Sequence, residues 1–346
     1  MNNQQITVKD IARILNLHHT TVSKALRNHP DIRQETKELV FTTAKELDYH
    51  PNSLAKSLRN RRSQTIGVIV PTIKNDFFST VISGIEEVAY REDHNIIVCQ
   101  SHETVEREIL NVSSMVSNLV AGLLISVSQT TRSGDHFRIF EKRKIPLVFF
   151  DRVCEDITAS KVVADDYQGA FEAVEHLIQS GRWTIAHFSG PETISVSRHR
   201  RKGYTDALLR NNLPVDDGWI IQGGFLEEDG SRAFQQVALR GKLPEAVFAV
   251  NDPVAIGAYH QIKRLGLRIP EDIALVGFGD NILSSYLNPP LTTVKQSPYE
   301  LGKISAEIIL EQIKNPSEMT NPREEIVKTH LIVRDSTQKT NKGAVE

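Results

Sequence analysis

Short apolar runs that alternate with amphipathic helical segments constrain this chain more than any other feature. TIGVIVP, NIIVCQ, GLLIS and PLVFFD are separated by FFSTVISGIEEVAYRE, VEREILNVSSMVSNL and a third helical stretch near HFRIFEKRK. Runs this short, bounded by helical patterns, read as strands buried on both faces, and βαβα order implies a parallel sheet covered by helices. The pattern restarts at KVVAD and continues through TIAHFSG, WIIQG, AVFAVN and IALVGFGD. Two similar α/β lobes are expected, and open sheets of this kind bind ligands beyond their strand ends.

The first 63 residues do not share this pattern. They hold 11 Lys and Arg against 6 Asp and Glu, so the head carries +5 and the remainder −7 of the net −2. Such segregation suits a head that meets a polyanion. Thr7-Val8-Lys9-Asp10 fits a capping box that starts a helix with Ile11, Ile14 and Leu15 on its apolar face. Asn16 tolerates the left-handed turn that follows, and Val22, Ala25 and Leu26 then face inward on a second helix. His19, Thr20, Ser23 and Lys24 lie opposite them, a helix-turn-helix arrangement. QETKELVFTTAKELDY supplies a third helix, with Leu39, Val40, Ala44 and Leu47 expected in the core. A solvated face with no partner is the alternative for the polar surface, and the local basic excess weighs against it.

The same residues argue against several other classes. Adjacent His18 and His19 diverge by about 100° on a helix and lack a histidine at i+4, so no metal site is expected there. Cys99 and Cys154 lie apart beside strand patterns and read as packed free thiols. No apolar run approaches the roughly 18 residues of a membrane span, and MNNQQITVKD lacks a secretory apolar core, so a cytoplasmic protein is expected. Gly-rich phosphate loops, His-Glu-x-x-His runs and nucleophile elbows are missing, which argues against an enzyme and against a cofactor.

TVKDIA, TTVSKAL, ELDYHPNSLAKSLR and IGVIVP resemble the N-terminal signature of the lactose-repressor (LacI/GalR) family, and FFSTVISGIEE, PLVFFDR, VFAVND, ALVGF, PPLTTVKQ and LIVRDS continue it in order. The resemblance implies a sequence-specific, ligand-responsive transcription regulator, a repressor of carbohydrate-use genes that binds double-stranded operator DNA as a homodimer. It places base reading on His19, Thr20 and Lys24, and phosphate contacts on Thr7, Thr21, Ser23 and Asn28. His18 stands where the family usually has a Ser or Thr cap, a departure that leaves its own DNA contact open. DYHPNSLAKSLRNRRS resembles the family's hinge helix, in which Leu58 would wedge into a base step of the minor groove with Asn52 and Arg59 beside it. A basic linker is the other reading of that stretch.

By the same resemblance the chain divides into a helix-turn-helix domain at 1–50, hinge and linker at 51–63, a two-lobed, periplasmic-binding-protein-like effector and dimerisation domain at 64–338, and a polar tail at 339–346. Crossings between lobes are expected near Ala164, Thr293 and Lys328. Expected effector contacts are Phe77, Asp151, Arg200, Phe225, Asn251, Asp280 and Gln296, around a small sugar or sugar phosphate. Each has a purely structural alternative: core packing for Phe77 and Phe225, a turn cap for Asp151, a helix cap for Asn251 or Asp252. Gly279 occupies the place of a usual family aspartate, with Asp280 one residue later as its candidate replacement. A solute-binding transport receptor, or an activator of the same architecture, is the competing function.

Overall fold

The computed structural model describes residues 6–49, 63–74 and 76–338 and divides into two compact units, Met1–Ser63 and Gln64–Glu346. Asn52, Leu58, Arg59 and the expected hinge helix fall outside the described residues, as does the polar tail.

The first unit contains α1 (Val8–Ile14), α2 (His19–Ala25) and α3 (Gln34–Glu46). Its capping box forms: the Asp10 carboxylate accepts the Thr7 amide at 3.0 Å and the Thr7 hydroxyl at 2.6 Å. Asn16 turns the chain at φ 53°. Ile11, Ala12, Val22, Ala25, Val40 and Ala44 make the core. Two expected members do not: Ile14 is 58% and Leu39 51% exposed. Each helix is too short and narrow in its apolar stripe to turn both flanks inward, and Val40, the neighbour of Leu39, takes the inward position.

In the second unit, β1 (Thr65–Val70), β2 (Asn95–Gln100), β3 (Gly122–Ile125), β4 (Leu147–Phe150) and β5 (Ser160–Ala164) belong to one parallel sheet in the order β11-β5-β4-β3-β1-β2, where β11 is Glu324–Val327. The other sheet runs β12-β10-β9-β8-β6-β7, from β6 (Ile185–Ser189), β7 (Ile220–Gln222), β8 (Ala246–Ala249), β9 (Ala274–Gly279) and β10 (Thr292–Lys295), with β12 (His330–Ile332) antiparallel to β10. Strands β1, β3 and β4 are buried on both faces, which is why their sequences show no polar alternation.

KVVAD therefore closes the first sheet as β5 rather than opening the second, because it pairs with β4 on one side and β11 on the other. The first crossing falls where expected, after Ala164, whereas the second lies slightly later: β10 continues past Thr293 to Lys295, so the chain leaves that lobe at Gln296 and Ser297.

Among the described residues, eight α-helices cover these sheets: α4 (Asp76–Arg91), α5 (Val105–Ser117), α6 (Arg138–Arg143), α7 (Asp166–Gln179), α8 (Ser195–Arg210), α9 (Glu227–Ala238), α10 (Asp252–Arg264) and α11 (Pro298–Lys314). After the second crossing α11 packs on α4, β3, β4 and β5 of the first lobe. Gly84 and Gly302 permit that approach, since a methyl group on either would sit 2.2 or 2.1 Å from a backbone oxygen of the facing helix.

His187 is wholly buried in β6 between Tyr204 and Phe248, with Nδ1 3.0 Å from the Phe248 carbonyl. Burial lowers its pKa to about 4. A neutral histidine in the fold and an ordinary one in the unfolded chain make stability complete above about pH 6.5 and lost progressively as pH falls toward 4, by about 3 kcal/mol. His187→Phe should remove that loss. Denaturant titrations from pH 7 to pH 4.5 check it: the gap between parent and variant should shift in the variant's favour on acidification, and a constant gap would contradict the assignment.

Candidate functional site: a recognition helix and an interlobe cleft

The polar face of α2 is in place. His19, Thr20 and Lys24 are exposed on it, and Thr21 and Ser23 are partly buried. His18 is the cap of this helix: its Nδ1 accepts the Thr20 amide at 3.4 Å and lies 2.7 Å from the Thr20 hydroxyl. An imidazole thus does the work of a hydroxyl cap, and it also orients Thr20. Lys24 meets Asp31 at 3.1 Å in an exposed pair that a phosphate or base edge can displace cheaply. Thr7 caps α1, and Asn28 turns the chain after α2 at φ 55°.

The strand ends of both lobes converge on a cavity of about 290 Å³. Phe77, Asp151, Arg200, Phe225, Asn251, Asp280 and Gln296 all line it, though they come from segments spread over more than two hundred residues. Phe77 follows β1, Asp151 follows β4, Phe225 follows β7, and Gln296 sits on the crossing segment itself.

Their chemistry differs from residue to residue. Arg200 is 3% exposed, and its fork is already held: Nε and Nη2 donate to Asp166 Oδ1 at 2.9 and 2.6 Å, and Nη1 donates to the Val250 carbonyl at 2.5 Å. Its guanidinium also lies 3.6 Å from the Phe278 ring centroid. Asp166, in the first turn of α7, is buried, and burial raises its carboxyl pKa against the opposing pull of Arg200. Asn251 is the cap of α10, with Oδ1 accepting the Val254 amide at 2.9 Å and Nδ2 donating to the Phe225 carbonyl at 3.0 Å. It borders the cavity with both polar ends engaged. Asp252 beside it accepts from Thr293, Ser284 and the Asn281 amide at 2.6–2.7 Å.

Asp280 adopts φ 53° and pairs with Arg334 at 2.6 Å. The wall at Gly279 is bare, since a Cβ there would meet Gln296 Oε1 at 3.7 Å and nothing nearer. Asp151 is different again. It is buried with Ser126 Oγ at 3.2 Å and Arg152 Nε at 3.8 Å, and burial raises its pKa to about 6. Buried Gln296 keeps an Nε2 with no hydrogen-bond partner.

Sequence reasoning missed Arg152, Val196 and Phe278, which line the cavity, and Asp166, which holds Arg200. The dipeptide Asp151-Arg152 was a usable signal, since a second ionisable residue beside an expected contact is costly to bury without a purpose. Asp166 gave none, because an aspartate opening a helix is an ordinary first-turn residue.

A helix-turn-helix unit and a two-lobed cleft with polar groups aimed inward define a DNA-binding regulator that responds to a small molecule. Residues 7–52 match the model of bacterial regulatory proteins, lacI family, and residues 174–337 match a periplasmic binding protein-like domain. The chain is 34% identical to the probable HTH-type transcriptional repressor ExuR of Bacillus subtilis, covering 96% of this chain and 99% of that one. It is 32% identical to the ribose operon repressor of Haemophilus influenzae, over 95% and 98% respectively. A lac repressor dimer bound to operator and the anti-inducer ONPF superposes with a TM-score of 0.85 at 26% identity, covering 97% of this chain and 100% of that one. The chain belongs to the lacI family of bacterial regulatory proteins and regulates transcription.

Asp166→Asn should leave Arg200 as an uncompensated buried charge and destabilise the body by about 3–5 kcal/mol. Denaturant unfolding at pH 7 measures it, and a loss below about 1 kcal/mol would show that the pair does not hold Arg200.

Proposed function

We propose that the protein is a homodimeric repressor of carbohydrate-use genes that acts in the cytoplasm, performs no catalysis, and carries a small polyhydroxylated effector between its lobes. One observation carries this reading: seven residues from distant segments meet in a cavity with aromatic walls at Phe77 and Phe225, an acceptor at Asp151 and a guanidinium at Arg200. Rings of that kind cover the apolar face of a sugar, while carboxylate and guanidinium fix its hydroxyls. The cavity lies at the small end of ligand pockets, about 300–1,000 Å³, which suits a monosaccharide-sized molecule. The relatives' names, a ribose operon repressor among them, point the same way. A transport receptor would have no use for the basic helix-turn-helix unit.

On DNA, His19, Thr20 and Lys24 read base edges, and Thr7, His18, Thr21, Ser23 and Asn28 hold the backbone. Twofold symmetry makes the operator a pseudo-palindrome, with the segment of Asn52, Leu58 and Arg59 at its centre. Selection from random duplexes should return a changed consensus for His19→Ala or Thr20→Ala, each lost contact costing about 1–3 kcal/mol. An unchanged consensus in both variants would remove this face as the reader.

In the cleft, an effector hydroxyl donates to ionised Asp151. Because that carboxyl protonates near pH 6, affinity should be steady above about pH 7 and fall by up to roughly tenfold per pH unit below 6. A thermal-shift screen of neutral sugars and sugar phosphates finds the ligand. Asp151→Asn should then bind it more weakly at pH 7.5 and with a flatter pH profile, and a parent profile with no step near pH 6 would displace Asp151 from the site.

A further inference from the structure

Arg152 links the two lobes in a way the effector contacts above do not explain. It follows β4 in the first lobe and is 5% exposed. Its guanidinium carbon lies 4.2 Å from the ring centroid of Phe225, which follows β7 in the second lobe, and 5.8 Å from that of Phe78. A guanidinium stacked on a ring and shielded from water attracts it through the ring quadrupole.

Glu103 holds the guanidinium there. Its carboxylate receives Arg152 Nη1 at 3.0 and 2.8 Å and the Gln129 amide at 3.0 Å. The backbone that delivers Glu103 is unusual, because His102 and Glu103 are consecutive non-glycine residues with φ of 51° and 62°. Such residues persist where surrounding contacts over-determine them, and they concentrate at ligand clamps and switch regions. The Glu103 carboxylate, with three bonds, helps to fix this turn together with the Thr104 amide and hydroxyl on the Ser101 carbonyl.

Beside the stack the lobes touch through a few further groups. The Val153 amide donates to Ser195 Oγ at 3.3 Å, the Arg198 guanidinium meets Glu155 at 2.7 Å, and the Thr193 hydroxyl donates to the Gln129 carbonyl at 3.4 Å. Val127 and Val153 share one apolar cluster with Ile194, Val196 and Phe225. These contacts are exposed, long or nondirectional. The Arg152 stack is buried too, like the Val153–Ser195 bond, but it is anchored by a carboxylate and borders the same cavity as Asp151 and Arg200.

We propose that Glu103 and Arg152 form a latch that grips Phe225 of the opposite lobe and sets the closed arrangement of the cleft. Glu103 is a positioning residue that acts through Arg152, and the strength of the latch sets how much lobe closure an effector must supply. The consequence for the effector rests on the cleft reading above; the latch itself rests only on the contacts among Glu103, Arg152 and Phe225.

Hydrogen exchange of the full-length, ligand-free protein, followed by mass spectrometry, tests it. The Val153 amide, bonded across the cleft, reports opening, and the amides of β6 serve as the control for global unfolding. Arg152→Met, Glu103→Gln and Phe225→Leu should each speed exchange in peptides containing Val153 by about tenfold, with β6 unchanged. The Arg152→Met, Phe225→Leu double variant should exchange no faster than either single one, since both remove the same contact. Unchanged exchange at Val153 in the single variants, or a double variant whose acceleration is the product of the two, would overturn the latch. Glu103→Gln is nearly isosteric and keeps the test decisive if Arg152→Met disturbs β6. Failure to find any sugar ligand would leave these exchange rates, and hence the latch, unaffected.

Discussion

Three passages of the chain between the sheets govern the rest of the body. The chain leaves β5 for α7 after Ala164, returns from β10 through Gln296 and Ser297 to α11, and crosses last between β11 and β12. Three covalent connections side by side allow two lobes to rotate about them but not to separate. The cavity between the strand ends is lined by both lobes and, at Gln296, by the connection itself. Differential contact with an open and a closed arrangement is what a small molecule needs in order to shift their populations.

The electrostatics of the cleft follow the same logic. Asp166 with Arg200, Glu103 with Arg152, and Asp280 with Arg334 are each paired at 2.6–2.8 Å in largely buried surroundings. Buried pairs roughly break even against apolar packing, so their value here is positional: they aim guanidinium planes and clear the cavity wall. Asp151 has only a weak hold on Arg152, and its pKa is pushed up to about 6. Asp280 is paired with Arg334 through one oxygen and still lines the cavity, next to a bare wall at Gly279.

Much of this was legible in the chain because its signals are local. Apolar runs marked every strand from β1 to β9, and the Thr7 box and Asn16 marked the first helix and its turn. What failed were decisions that depend on distant partners. KVVAD looks like the start of a lobe, and only pairing with β11, some 160 residues later, makes it the end of one. Strands β10 to β12 carry mixed polarity at the lobe junction and gave no periodic signal. In the cleft, the family resemblance pointed to Arg200 and Asp151, and both line the cavity, yet the partners that fix Arg200 and Arg152 lie 34 and 49 positions away in sequence and could not be paired by spacing. Asn251 and Asp252 illustrate the limit: two adjacent polar residues after a strand offer one cap and one further role, and geometry alone shows that Asn251 is the cap.

A small molecule in the interlobe cleft is expected to control DNA binding by the helix-turn-helix unit. The most direct test is fluorescence anisotropy of a selected operator duplex, titrated with the full-length protein at fixed salt, with and without a saturating cleft ligand. The ligand should shift operator affinity by about tenfold or more while leaving binding to scrambled DNA unchanged. A ligand that binds the protein tightly and leaves the operator isotherm where it was would contradict it.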